Sequence, residues 1–168
     1  MSLESALNAW NGKTLDDLES IYRQFYREPD FAGQVIALLT QKQQRGASWL
    51  LKTHLENHFD LSSELVMTVF KSLSLAKQWQ TQLNLLQCLP FLHPYPEQKK
   101  AALVAFLKHT LSSRHKWVRV WGYHGVYELA KDFPEVMDES FAGLKENRRS
   151  TSEDASSQSF QLDFGDSN

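Results

Sequence analysis

"KWVRVWGYHGVYELA", Lys116 to Ala130, sets two glycines three residues apart inside a segment whose apolar residues keep helical spacing. At about 100° per residue, Val118, Gly122, Gly125, Val126 and Leu129 fall on one side of that helix. Glycine costs a helix roughly 1 kcal/mol against alanine, so a pair on the apolar side implies a neighbouring helix too close for a β-carbon. Arg119 stands at the edge of this side and is expected to bond a neighbouring turn rather than a ligand. The opposite arc holds Trp117, Trp121, His124 and Glu128, spaced four, three and four, as one continuous ridge.

Working outward, the same period governs almost the whole chain. Leu3, Leu7 and Trp10 make a first short helix stopped by Asn11 and Gly12. Thr14, with Asp17 three residues on, opens a second along Leu15, Leu18, Tyr22 and Phe25; its paired Asp16 and Asp17 read as capping acids, not as an acid/base pair. Further stripes follow at Phe31, Val35, Leu38 and Leu39, then at Ala47, Leu51, Leu55 and Phe59. The cluster from Asp60 to Leu65 caps a helix through Val66, Val69, Phe70 and Leu73, and another spans Ala76 to Leu89 before Pro90 ends it. Leu103, Leu107 and Leu111 mark the helix before the opening segment, and Met137, Phe141 and Leu144 a last one after it. Before the tail no stretch alternates with period two, so the fold class is all-α.

Composition fits a globular domain. Of 168 residues, 42% are hydrophobic and 23% charged. The N-terminal "MSLESALNAW" has no basic region ahead of an apolar core, and no run of eighteen apolar residues occurs, so neither a signal peptide nor a membrane partner is expected and a cytoplasmic location is. The single cysteine, Cys88 in "LLQCLPFL", excludes an internal disulfide and reads as a packed thiol. Charge is distributed unevenly. Four of the 20 acids and none of the 18 Lys and Arg lie in residues 150–168, leaving +2 for residues 1–149, while Lys99 to Lys131 carries seven bases against Glu128 alone.

A four-and-six spacing recurs at Arg45, Trp49 and Leu55, at Trp79, Leu83 and Leu89, and at Arg119, Tyr123 and Leu129, giving periods of 34 and 40 residues with two helices each. With "WVRVWGYHGVYELA" in a second repeat helix, the chain resembles the HEAT and armadillo-type helical repeats over residues 29–149, about three repeats behind an N-terminal helical cap at residues 1–28. That resemblance implies one domain, 1–149, built as a right-handed α-solenoid of antiparallel helix pairs with a concave binding surface; it implies no substrate. Carried through the register, the ridge gains Gln43, Ala47, Leu50 and His54 in the first repeat and Lys77, Thr81, Asn84 and Cys88 in the second.

Trp117 and Trp121 then either pack on the adjacent helix or anchor a partner, the residue type that dominates binding hot spots. The expected partner-binding ridge comprises Trp117, Trp121, His124, Glu128, His54, Lys77 and Asn84. No cofactor is expected. His54 and His58 have a spacing that suits a metal but no third ligand, so they read as a solvated or helix-end pair. No phosphate loop, nucleophile elbow or Cys/His pair is present, and neither the His-Glu dipeptides of helical-repeat hydroxylases nor the groove Trp and Asp of the alkylpurine DNA glycosylases can be placed, so no catalysis is expected. The function expected is a protein-interaction module. The alternative is a nucleic-acid-binding protein of similar shape to those glycosylases, using the basic segment 99–131 with its aromatics. The Ser-rich acidic tail, residues 150–168, has no helical stripe and is expected to be disordered, resembling a docking peptide through Phe160, Leu162 and Phe164 or alternatively folding back on the basic segment.

Overall fold

The computed structural model describes residues 1–144. Among these there are nine α-helices and no strand: α1 (Leu3–Ala9), α2 (Leu15–Phe25), α3 (Phe31–Ala37), α4 (Gln44–Glu56), α5 (Ser63–Ser72), α6 (Trp79–Cys88), α7 (Lys100–Leu111), α8 (Lys116–Asp132) and α9 (Val136–Glu139). The expectations for residues 145–149 and for the tail at 150–168 lie outside the described residues.

Local chemistry sets several helix ends. Ser62 caps α5, its Oγ accepting from the Leu65 amide at 3.3 Å. Thr14 has the extended backbone of an N-cap, but its hydroxyl donates to Asp17 Oδ2 at 2.7 Å instead of accepting from a backbone amide. Three helices tighten at their ends into 3₁₀ turns at Leu38–Thr40, Leu73–Leu75 and Leu89–Phe91, and the last carries Pro90, which cannot donate to a continuing helix. The stripe expected to run on to Phe59 stops at Glu56, because His58 turns into the left-handed region at φ 67° and sends Phe59 back over the helix end. Likewise the last expected helix is reduced to α9 and a 3₁₀ turn at Ala142–Leu144.

Packing follows two series. α3, α5 and α7 touch in succession, and α4, α6 and α8 touch in succession; α7 also lies along α8, and α3 along α4. One apolar cluster runs from Leu3 to Phe141. α6 lies between α4 and α8 and is the most enclosed helix, with every residue from Gln80 to Cys88 buried. Two of its polar side chains find partners inside: Asn84 Nδ2 donates to Ser48 Oγ of α4 at 3.1 Å, and Gln82 Nε2 donates to the Ala76 carbonyl at 3.0 Å, while the buried Thr81 hydroxyl has none.

The glycines of α8 do what their spacing predicts. A β-carbon on Gly122 would stand 2.8 Å from Thr110 Oγ1, and one on Gly125 would stand 2.6 Å from Leu107 Cδ2, both on α7. Arg119 donates from Nη1 to the Ser113 carbonyl at 2.8 Å, fastening the turn between α7 and α8. Its register equivalent, Arg45, donates from Nη2 to the Gly12 carbonyl at 2.9 Å and lies over the Trp10 ring. Where the register has Trp79 instead, the indole stacks on His115 with centroids 4.6 Å apart.

Candidate functional site

The expected ridge is not a continuous open wall. His54 is buried at 6% exposure, Asn84 at 1% and Glu128 at 4%, so these three do not face solvent. Covering residues explain each. His54 Nδ1 meets the Tyr22 hydroxyl at 3.1 Å, and the imidazole stacks on Phe59 at 4.3 Å and meets Phe31 edge-on. So covered, it is a core imidazole and not half of a solvated pair with His58, and its burial lowers its pKa. Gln43, Ala47 and Leu50 are likewise buried; Gln43 Nε2 donates to Asn8 Oδ1 at 2.7 Å, which places α1 over the start of α4. Thr81 and Cys88 are buried in α6, and burial pushes the Cys88 thiol pKa up, so it stays protonated and inert.

Of the ridge, Trp117, Trp121 and His124 remain half-buried and Lys77 is exposed. Trp117 and Trp121 pack against the core, and the Trp121 ring meets the His124 ring edge-on at 5.1 Å. Burial lowers the His124 pKa against the opposing pull of Glu128.

Glu128 belongs to a cluster that no sequence spacing announces. His93, in the loop before α7, has Nε2 2.6 Å from Glu128 Oε2 and Nδ1 2.8 Å from Asp132 Oδ2. Asp132 Oδ2 also accepts from the Tyr95 amide at 2.7 Å, and Lys131 Nζ donates to Glu128 Oε1 at 2.9 Å. Burial alone would raise the Glu128 pKa; the His93 and Lys131 hydrogen bonds outweigh it and hold the carboxyl below its ordinary range. The Tyr95 ring stacks on His93 at 4.1 Å, its hydroxyl donates to the Leu89 carbonyl at 2.6 Å, and burial raises its pKa. With a carboxylate oxygen within hydrogen-bond distance of each ring nitrogen, His93 is engaged on both sides by partners within the chain. The cluster staples the loop to α8. Among the described residues no group of three His, Cys, Asp or Glu is placed to hold a metal ion.

A groove of about 660 Å³ offers more. One wall is the end of α5 and the segment to Lys77; the other is the outer side of α7 with the turn before it. Ala102 and Ala105 leave the trough open because they are small; Phe70, Leu73, Ala76 and Phe106 complete the apolar part of its lining, and Ser74 and Gln82 add polar groups. Around it stand Lys71, Lys77, Lys99 and His109, and no acidic side chain lines it. None of the three lysines has a carboxylate within ion-pair distance among the described residues. Lys77 is placed by Gln44 of α4, whose Oε1 accepts from the Lys77 amide at 3.1 Å while its Nε2 donates to the Leu75 carbonyl at 3.0 Å. The sequence put Lys77 in the binding set but not its neighbours: Lys71 and Lys99 are 28 residues apart in the chain, and only the packing of α5 against α7 brings them to one groove.

Five other cations of the basic segment are engaged elsewhere, and Arg114 is exposed with no carboxylate within ion-pair distance among the described residues. Lys100 pairs with Glu135, Lys131 with Glu128, Arg119 with the Ser113 carbonyl, and Lys108 and Lys116 lie over Phe141 and Trp117. Among the described residues no helix is long and apolar enough to cross a membrane. Compared with protein-family models, curated proteins and solved structures, the chain matches none.

Proposed function

We propose that this chain is a protein-interaction module that takes an acidic, aromatic-bearing segment of a partner protein in the groove between α5 and α7. The observation that carries the reading is the set of three lysines, Lys71, Lys77 and Lys99, standing without carboxylate partners around an apolar trough. Like charges converge at a cost unless something anionic shares the site, and an apolar floor adds affinity for side chains rather than for free anions. Exposed cations, screened by salt, supply register, on-rate and attraction for acids; the apolar part of the lining adds to the binding free energy.

The scaffold we infer is a HEAT-like α-solenoid with its first helices α3, α5 and α7 in one layer and its second helices α4, α6 and α8 in the other. The two packing series support it, and at equivalent register positions Arg45 and Arg119 each donate to a loop carbonyl, Gly12 before α2 and Ser113 before α8. On that reading the working surface lies between first helices rather than on the second-helix ridge, because α1, α2 and Phe59 occupy that ridge at α4 and the core encloses it at α6.

Nucleic acid is the weaker occupant. Single strands gain much of their affinity by stacking on exposed ring faces, whereas Phe70 and Phe106 are 1% and 5% exposed. A titration followed by fluorescence anisotropy discriminates the two. A labelled peptide with two or more acids flanking a Phe binds the parent chain, and K71E/K77E/K99E abolishes that binding; a single-stranded oligonucleotide of equal charge binds more weakly and with the steeper salt dependence. Tighter binding of the oligonucleotide would overturn the protein-partner reading.

A further inference from the structure

We propose that residues 150–168 of this same chain occupy the lysine-rimmed groove, so that the protein carries its own competitor for the partner site. The proposal rests on the reading of the groove given above and names its regulation.

Charge is the first argument. The segment holds Glu153, Asp154, Asp163 and Asp166 with no Lys or Arg, and the groove holds three unpaired lysines with no acid in its lining. The match is selective within the C-terminal stretch, since residues 145–149 carry Lys145, Arg148 and Arg149 against Glu146 alone and so do not complement a cationic site.

Side-chain spacing is the second argument. Phe160, Leu162 and Phe164 alternate with Gln161 and Asp163, so a segment laid extended in the trough presents three apolar side chains to one side and polar ones to the other. Ala76, Ala102, Ala105 and Phe106 are apolar parts of the lining, and the three lysines line it with them.

Reach is the third. The described chain ends at Leu144, and Phe141 just before it sits beneath Lys108 of α7, 5.9 Å from the ammonium nitrogen. His109, the next residue of α7, already lines the groove. From Leu144 to Phe160 an extended chain spans up to about 50 Å at roughly 3.3 Å per residue, while a domain of this size has a radius of gyration of about 15 Å. Tethered that closely, the segment acts at an effective concentration of the order of millimolar, enough to hold a weak intramolecular contact against a dilute partner.

Zero-length carbodiimide coupling on the full chain, in an equimolar mixture of nitrogen-14 and nitrogen-15 protein, reads the contact directly. Expected are amide links from Asp163 or Asp166 to Lys71, Lys77 or Lys99 in peptide pairs of a single isotope, several-fold above links to Lys13 and Lys42. Links spread evenly over those lysines, links absent from the groove, or groove links of mixed isotope would each overturn the proposal. A second arm titrates a labelled synthetic copy of residues 156–168 into the parent chain and into E153Q/D154N/D163N/D166N, whose substitutions lie outside the described core. Removal of the competitor predicts at least about tenfold tighter peptide binding by the variant. Equal binding by both overturns the tail proposal and leaves the groove reading standing. Binding by neither overturns the groove reading, and the tail proposal with it.

Discussion

Leu107 Cδ2 fills the space that a side chain on Gly125 would need, 2.6 Å from where its β-carbon would stand. The contact cannot relax cheaply, since Leu107 is fully buried and Leu89 and Leu86 close in on the same point. Gly125→Ala gains about 1 kcal/mol of helix propensity but overpacks a tight core, a cost of about 1–3 kcal/mol. The expected outcome is a net loss of about 1 kcal/mol, read as a lower urea midpoint with an unchanged slope. A stabilised variant would contradict the close approach of α7 and α8.

The His93 staple predicts a second loss. His93→Ala leaves the buried Glu128 carboxylate with Lys131 and the more distant His124, 3.6 Å away, and leaves Asp132 holding only the Tyr95 amide. Breaking a fully buried pair costs about 3–5 kcal/mol, and the partial exposure of His93 reduces that here to about 2 kcal/mol. Chemical denaturation at pH 7 measures it; no change in midpoint would show that the two carboxylates do not depend on the imidazole.

How much of this was legible in the sequence differs by feature. The helices follow from the apolar period of 3.6, and the glycine pair announced the close helix contact because a buried helical glycine has few other reasons to persist. The role of Arg119 was legible too, since its bond is to a turn six residues away. What covers a helix face was not. The α8 register carried back to α4 puts His54 on an open wall, whereas Tyr22, 32 residues earlier, and Phe59 close over it. Phe59 itself continues the i+4 pattern, and only the left-handed turn at His58 takes it off the helix. The groove was half legible: the excess of lysine from 99 to 131 was visible, but its coincidence with Lys71 and Lys77 depends on helix packing.

Acid sensitivity follows from the shifted groups. Burial lowers the pKa of His54 and His124 below the ordinary 6.5, so the folded state binds fewer protons than the unfolded one as pH falls through that value. Their contribution is complete above pH 6.5 and is lost as pH falls toward their folded values. Glu128, whose pKa lies below the ordinary 4.5, adds a further loss that begins near that value and completes as pH falls through the folded one. Urea midpoints measured from pH 8 to pH 4 are therefore expected to fall, and His54→Asn is expected to flatten the upper part of the curve. A midpoint that rises on acidification would contradict the burial of both imidazoles.

The two candidate surfaces make opposite demands of α8. Trp117 and Trp121 pack against the core, so W117A/W121A is expected to lower stability by about 3 kcal/mol or more while leaving peptide affinity within about twofold in the fraction that remains folded. Loss of peptide affinity in a folded double variant would move the site back to the ridge.

Amide chemical-shift mapping of the peptide copying residues 156–168 onto the nitrogen-15-labelled E153Q/D154N/D163N/D166N chain tests the location of the site most directly. The groove predicts perturbations confined to Phe70 through Lys77 and Lys99 through His109, lost on K71E/K77E/K99E. Perturbations centred on Trp117 through Glu128, or none at saturating peptide, would contradict it.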